Sequence, residues 1–571
     1  MPESSFAKSL FHGVIAEDSL LPYPSISHRE TDAVQALLVE TRRLCDREID
    51  ARAIDEASRI PDAVVLGLRR LGLFGASLPR EHGGLGLSTS ATARVLEEIA
   101  GVDASVALML GAHLALGTSG PLLFGTTGVK ERYLRELASG ERIGAFALSE
   151  VGAGSDAAAI ETRADRDGED YVLRGTKTWV TNGDIAGLFT VIARTSPKDE
   201  DAKPRLTAFV VPRQDGVTVG PSEPKLGVRG AATNPIALDG ARVGTDHVLG
   251  DVGRGFKVAV EVLNRGRLLL ASGCVGACKR LLKLSVERAR TRKAFARPLD
   301  QFGLVQDKLA RMMADTFALE SMVYLTTGLV DRNVDDFSVE GAICKVFGSE
   351  ALLRVADEAL QIAGGSGYAR AQPYERMFRD ARVNPIFEGT NEILRCFVAL
   401  SGMQGPGEAI AEVSRAMREP IKGFGLLSDF ALRKARGKLG RDRLTRVHPC
   451  LAREAVILEE YTQDLAKNVD KVLRRHGKNI AEMQYTQRRI ADMAIDLFGI
   501  SAVLSRTTRA IERRGEEGSR REIELATVFA AAAQRRLEAT VHAFDKNDDE
   551  VRKGIAARAS VDGGYPFDVL A

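Results

Sequence analysis

A mostly α-helical protein with one β domain in its middle is the fold class the sequence predicts, and three observations predict it. Apolar residues recur at helical spacing from Glu30 to Gly140. They give way to short β-rich runs between Ile143 and Gly250. Helical spacing then returns from Phe256 to about Leu400 and again beyond His448. A chain of 571 residues has room for about four domains at ~150 residues each and for a deep core.

Each element has its own signature. Residues 1–140 read as an N-terminal helical domain, with Val34, Leu37, Leu38 and Leu44 on one stripe and the turn string Glu81-His82-Gly83-Gly84-Leu85-Gly86. No formally charged residue lies between Asp103 and Lys130, but Gly111, His113, Gly117, Gly120 and Pro121 interrupt that run. It therefore predicts helices buried in a protein core rather than a membrane span. Residues 141–250 carry Tyr171-Val172-Leu173, Phe189-Thr190-Val191-Ile192 and Leu206-Thr207-Ala208-Phe209-Val210-Val211 between Gly, Pro and charged turns, the pattern of a β-barrel or sandwich. In residues 251–402, Ala342, Ile343, Val346, Phe347, Leu352, Val355 and Ala359 mark one helix that stops at Gly364-Gly365, and a four-helix bundle is the natural packing. Residues 403–447 break the order with Gly, Pro and the basic run Arg433, Lys434, Arg436, Lys438, Arg441, Arg443 and Arg446 beside Phe424, Leu426, Leu427 and Phe430. Such a linker suits either a solvated charged loop or an amphipathic segment on an anionic bilayer, with contact through 424–446. Residues 448–571 predict three more long helices, one with Ile490, Met493, Leu497, Ile500 and Leu504 on a stripe, forming an additional small helical domain.

Charge narrows the function classes. Lys plus Arg total 79 against 77 Asp plus Glu, so no overall field favours nucleic acid. The six cysteines lie in apolar helical contexts without metal-ligand spacing, which predicts a reducing compartment, no metal, and packed thiols at Cys274 and Cys278. Met1 to Phe6 lack a basic segment leading into an apolar one, and the first twenty residues are not Arg-rich. The expectation is a cytoplasmic, bacterial address with peripheral membrane association.

Four segments carry chemistry. Phe387-Glu388-Gly389-Thr390-Asn391 sets one carboxylate at the entrance of the apolar run Ile393 to Leu400, where a catalytic base could sit. Ser149 to Asp156 (SEVGAGSD), Thr178 to Gly183 (TWVTNG) and Gln361 to Gly367 (QIAGGSG) supply small and hydroxyl residues suited to wrapping a large planar cofactor. In order and spacing these motifs resemble the acyl-CoA dehydrogenase family from about residue 30 to residue 400. The helical extension past residue 405, with Val447-His448-Pro449 and Ile490 to Leu504, is similar to its very-long-chain branch.

The resemblance implies an FAD-dependent oxidation of an acyl-CoA thioester between its α and β carbons, with Glu388 as base and electron-transfer flavoprotein as electron acceptor. It implies flavin contacts from Phe146, Leu148, Ser149, Gly154, Ser155, Trp179, Val180, Thr181, Thr390 and Asn391. Val151 stands where relatives carry proline, and Ser149 where threonine is usual. Arg292, Phe302, Gln361, Ile362, Gly364 and Gly365 resemble segments that reach the FAD of a second subunit, which implies a homodimer. Ser155, Asn264, Arg267 and Gly389 would lie along the substrate, although medium-chain relatives place Asp where Asn264 stands. Isovaleryl-type members carry their base one residue before an Arg; here that position is Gly266, followed by Arg267, so Glu388 has no competitor. The segment from Met109 through Gly117 has no charged residue to stop an acyl chain. The alternatives are an acyl-CoA oxidase that uses O2 and an assembly protein that retains the fold.

Overall fold

The computed structural model describes residues 5–196, 205–418 and 443–569. The N-terminal helices begin where short polar side chains take up orphan backbone donors. Asp103 Oδ1 accepts from the Val106 N–H at 2.8 Å, and Ser88 Oγ and Thr126 Oγ1 accept from Ala91 and Val129 at 3.2 Å. The uncharged run becomes the helix Ala104–Gly111, a wider π turn over Ala112–Gly117 and the helix Ser119–Phe124. By length and composition this stretch passes as a membrane span, yet 67% of its most apolar window is buried in the protein. Inside it, His113 is fully buried. Its Nδ1 accepts from Gly144 N–H, leaving Nε2–H to donate to Phe74 and Leu137 carbonyls. That fixes one neutral tautomer, and burial pushes the imidazole down to about 4.

The middle domain is one eight-stranded sheet: β1 (Ile143–Ala147), β2 (Arg163–Asp167), β3 (Asp170–Thr181), β4 (Ala186–Arg194), β5 (Leu206–Pro212), β6 (Val217–Val219), β7 (Thr233–Gly244) and β8 (Val248–Leu249). The order is β6-β7-β3-β2-β4-β5-β8, with β1 parallel to β4. Alternation decides its faces. Phe189, Val191 and Ala193 point with Phe209, Val211 and Leu238 into the sheet's own core, while Leu188 and Ile192 face the helices with Val258 and Val262.

The helices Gly255–Thr291, Gly303–Asp331, Ser338–Ala363 and Asn391–Arg418 form the bundle. Its neighbours depart from expectation in two details. The additional C-terminal helical domain is present, but its helices Ala452–His476, Gln484–Gly518 and Arg520–Ala543 share one apolar core with the catalytic bundle, and a fourth, Asp549–Asp562, buries no residue. The predicted stripe Ile490, Met493, Leu497, Ile500 and Leu504 is buried there. Likewise the first residues do not pack with the N-terminal helical domain. Phe6, Leu10, Phe11, Leu20 and Tyr23 enter the bundle core. Gly402 makes room for Phe11, whose ring would lie 2.2 Å from any Cβ there. Ser5 Oγ donates to the buried Glu340 at 2.7 Å, and Gln463 and Thr445 of the extension bond to Gly13 and Glu17. Residues 5–24 are thus a strap across the joint between bundle and extension.

All six cysteines are free thiols, and burial pushes Cys274 up to about 12. The fold also draws His448, Cys450 and Glu516 within 4.8 Å at the surface, a grouping their separation in sequence hides. The stretch 424–446 lies, up to residue 442, outside the described residues.

Candidate active site

Glu388 sits in the turn before the helix Asn391–Arg418 with a left-handed φ of 56°, which aims its side chain back at the bundle instead of along the helix it precedes. Capping falls to Thr390, whose Oγ1 accepts from Ile393 N–H at 3.3 Å. The Glu388 carboxylate lies against Gly266 of the helix Gly255–Thr291: a Cβ at Gly266 would stand 2.6 Å from Oε2 and 2.7 Å from Leu116 Cδ2. Glycine at that position is what lets the acid enter.

The carboxylate is enclosed but underprovided. Oε2 has no hydrogen-bond partner, and burial pushes the group up to about 7 despite the opposing fields of Arg267 and Lys345. Neither cation touches it. Arg267 donates from Nε to the Glu388 carbonyl at 3.2 Å and from Nη1 to Asn264 Oδ1 at 2.9 Å. Lys345, wholly buried, donates to the Gly389 carbonyl at 2.7 Å and Asn391 Oδ1 at 3.0 Å, and burial pushes its amine down to about 8. The turn is therefore held by its carbonyls while its acid stays free. Among the described residues no acceptor takes the Glu388 N–H.

Replacing Lys345 by Met is expected to shift the acid limb of kcat/KM to higher pH, because a cation that favours the carboxylate is gone. The loss at pH 7 should be on the order of tenfold, the effect of a displacement of one pH unit. It should also lower thermal stability, since the Gly389 carbonyl loses its donor at about 1–3 kcal/mol, while Asn391 Oδ1 keeps the Ser349 hydroxyl at 3.2 Å. A pH–rate profile and a melting curve measure both.

Leu116 connects this turn to the sheet, where it packs with Phe146 and Leu148. There Ser149 O accepts from Thr178 N–H at 2.9 Å. The buried Lys177 donates to Leu148 O at 2.9 Å and to Glu150 Oε1 at 2.7 Å, pinning the loop. A shift in register between Lys177 and Val180 throws Trp179 out of the sheet: its φ is 59° and it is 62% exposed. Beside it, a Cβ at Gly152 or Gly154 would meet nothing within 4 Å. An exposed indole, an open glycine backbone and the exposed Ser155 leave a surface that fits a large planar group with a phosphate tail.

Three of the expected positions turn their side chains inward. Val180 points into the sheet core and Ile362 into the bundle core, which leaves only their backbone for a ligand. Asn391 is buried and bonded to Lys345, Ser349 and Glu350; it braces the Glu388 turn. Arg292, Gln361, Gly364 and Gly365 form a different, exposed surface, where Arg288 donates to Ala363 O and Ser366 Oγ at 3.3 Å. Phe302 lies nearby under the Arg297 guanidinium, 4.0 Å away. Lys345 and Ser349 escaped sequence reading, although a lysine and a serine in phase with Ala342 inside an apolar helix were a visible signal.

From Glu388 a seam of small and apolar side chains runs inward between three helical segments. Gly266, Gly273 and Ala277 line it from one, Gly111 to Ala104 from a second, and Asn384 to Met377 from the third. From Gly266 to Ala277 it spans about 16 Å at the ~1.5 Å rise per helical residue. The open space along it is about 90 Å³, so a ligand entering must turn flexible side chains such as Met377 aside.

Comparison with known proteins gives a consistent result. Residues 31–141, 145–241 and 253–402 match the N-terminal, middle and C-terminal domains of acyl-CoA dehydrogenase, and residues 449–562 match the ACAD9/ACADV C-terminal domain. The very long-chain specific acyl-CoA dehydrogenase, mitochondrial, of Homo sapiens is 38% identical, over 99% of this chain and 89% of its own length. The probable acyl-CoA dehydrogenase FadE10 of Mycobacterium tuberculosis is 34% identical, over 96% and 87%. Among solved structures, an acyl-CoA dehydrogenase complexed with FAD from Bacillus anthracis superposes with a TM-score of 0.82 at 29% identity, covering 98% of this chain and 96% of its own. Butyryl-CoA dehydrogenase from Megasphaera elsdenii covers 65% of this chain and 98% of its own, with a TM-score of 0.62 at 31% identity. With matched domains across most of its length and an acid whose Oε2 is buried and unpaired at the head of a small-residue seam, the chain belongs to the acyl-CoA dehydrogenase family.

Proposed function

We propose that this FAD-dependent acyl-CoA dehydrogenase acts on long- and very-long-chain acyl-CoA thioesters, yields trans-2-enoyl-CoA and passes its electrons to electron-transfer flavoprotein. The observation that carries the reading is the Glu388 carboxylate, orphaned at Oε2 and lying at the mouth of the Gly- and Ala-lined seam. A base held near neutrality in a dry site removes an α-proton more readily than a solvated one. Glu388 takes that proton, and the Glu388 N–H is free to hold the thioester oxygen as negative charge builds on it. The chemistry a bound FAD supplies is acceptance of the β-hydrogen with its electron pair, which no side chain performs. Trp179, the Ser149 to Ser155 loop and Thr181 would hold it on the sheet side of the bond. Arg267 and Lys345 keep the turn rigid while bearing positive charge toward the base. Homodimer formation, which would bring the Arg292 and Gln361 to Gly365 surface to a second subunit's cofactor, belongs to the same reading, as does membrane contact through 424–446.

Anaerobic titration of the purified protein with acyl-CoAs of graded length tests it: bleaching of the flavin should be strongest for palmitoyl-CoA and longer chains. A maximum at short chains would overturn the chain-length assignment. Reoxidation by electron-transfer flavoprotein rather than by O2 separates a dehydrogenase from an oxidase. Ala107→Phe, which fills the seam partway along, is expected to cut kcat/KM for palmitoyl-CoA by about 10²-fold and to leave hexanoyl-CoA unaffected.

A further inference from the structure

The geometry points to a second binding site at the inner end of the seam, for a carboxylate carried on the ω-carbon of a long acyl chain; the enzyme would then accept ω-carboxyacyl-CoA thioesters. This rests on the proposed function, since the seam is taken as the acyl channel. Beyond it lies a cleft of about 550 Å³, and Val102, Arg376 and Met377 line both spaces. Those three residues stand between the two spaces.

Five arginines and four acids line the cleft, an excess of one positive charge, and the pairing among them is uneven. Each of its acids already has a task. Asp50 caps a helix by accepting from Arg52 and Ala53 N–H at 3.1 and 3.0 Å, and Glu56 pairs with Arg52 at 2.9 Å. Asp55 and Glu375 both hold Arg379, at 2.7 and 2.8 Å. Arg376 is itself buried between Asp380 at 3.2 Å and Asp103 at 3.5 Å. Arg229, Arg280 and Arg370 also line the cleft, and among the described residues none of them has an ion pair or side-chain hydrogen bond. Three guanidinium groups that no carboxylate touches, although Arg229 lends its field to Asp55, surround one space and favour a small anion, and a carboxylate suits their planar forks.

Attachment to an acyl chain adds a length rule. An ω-carboxylate on a short chain would stop inside the seam, among Leu96, Leu269, Leu270 and Cys274, where an unpaired charge is heavily penalised. Only a chain long enough to pass Met377 delivers its charge to the arginines. Preference for the ω-carboxylated substrate over the plain one should therefore rise with length.

The test measures kcat/KM for plain and ω-carboxylated acyl-CoAs at six, ten and sixteen carbons. The ratio of ω-carboxylated to plain is expected to climb from below about 0.01 at the shortest to within roughly tenfold of unity at the longest. Arg280→Gln combined with Arg370→Gln should lower hexadecanedioyl-CoA turnover about tenfold or more and leave palmitoyl-CoA unchanged. A ratio flat with length, or a double variant that affects both sixteen-carbon substrates alike, overturns the inference. Inorganic phosphate at millimolar concentration distinguishes a site for free anions: protection of the arginines from phenylglyoxal by phosphate but not by hexadecanedioyl-CoA also overturns it. If palmitoyl-CoA itself is not oxidised, the proposed function has failed, and that outcome is separate from rejection of the ω-carboxylate alone.

Discussion

Glu388→Gln is expected to lower kcat by about 10²–10⁴-fold, the range attributed to a positioned general base, while the purified protein keeps its yellow colour. The amide is nearly the same size, so the enclosure against Gly266 is retained and only proton acceptance is lost. The same substitution should change stability with a definite sign. The Glu388 carboxyl is raised by burial from its ordinary 4.5 to about 7, so the folded protein binds that proton more tightly than the unfolded chain does. The destabilisation from burying the charge is absent below about pH 4.5, grows as pH rises and is complete above about pH 7. It amounts to as much as about 3 kcal/mol at ~1.4 kcal/mol per pH unit. The glutamine variant should therefore unfold at higher urea than the wild type at pH 8, with an advantage that shrinks towards pH 5. An unchanged kcat, or an advantage that grows towards acid, would sink the assignment of Glu388 as a buried base. In the wild type, kcat/KM should rise with pH through about 7 as the carboxylate forms.

The second large effect is expected at Gly266. An alanine there places its methyl 2.6 Å from Glu388 Oε2 and 2.7 Å from Leu116 Cδ2, closer than atoms can stand. Leu116 can rotate, but the carboxylate is tethered by a turn whose carbonyls are fixed by Arg267 and Lys345. Displacing the base by about an ångström is expected to cost on the order of 10²-fold in kcat at saturating palmitoyl-CoA, with flavin content unchanged. Equal kcat in the alanine variant and the wild type would mean that the glycine serves the helix and not the acid.

Much of this was legible in the chain itself because the signals were local. The Glu-Gly-Thr-Asn turn, the stripe from Ile490 to Leu504 and the alternation in β4 and β5 are each decided within a few residues, by capping, period and pleat. What escaped was decided at a distance. Lys345 meets a carbonyl 44 positions away, and the strap residue Ser5 meets Glu340 across 335 positions. No periodicity announces such pairs, since each partner looks ordinary alone. Val180 and Ile362 show a related effect: their motifs mark a surface, but the pleat and the helical period turn those two side chains inward, leaving the backbone outward. In sequence Gly266 stands out only as a position that cannot act as a base; its positive role, room for the base from another segment, is set by the fold.

The strap has a practical side for production and handling of the protein. Phe6, Leu10 and Phe11 sit in the apolar core, and each contributes roughly 1.5–3 kcal/mol by leaving water. Trimming these residues, or clipping the chain just after them, should not touch the flavin chemistry at first; it should uncover a greasy slot and send the enzyme into aggregates on storage or warming. The opposite terminus behaves differently, for Tyr565, Phe567 and Val569 stand in solvent. A purification handle or fluorescent fusion therefore belongs after the last helix, and one placed at the front would have to lead outward without lifting Ser5 from Glu340.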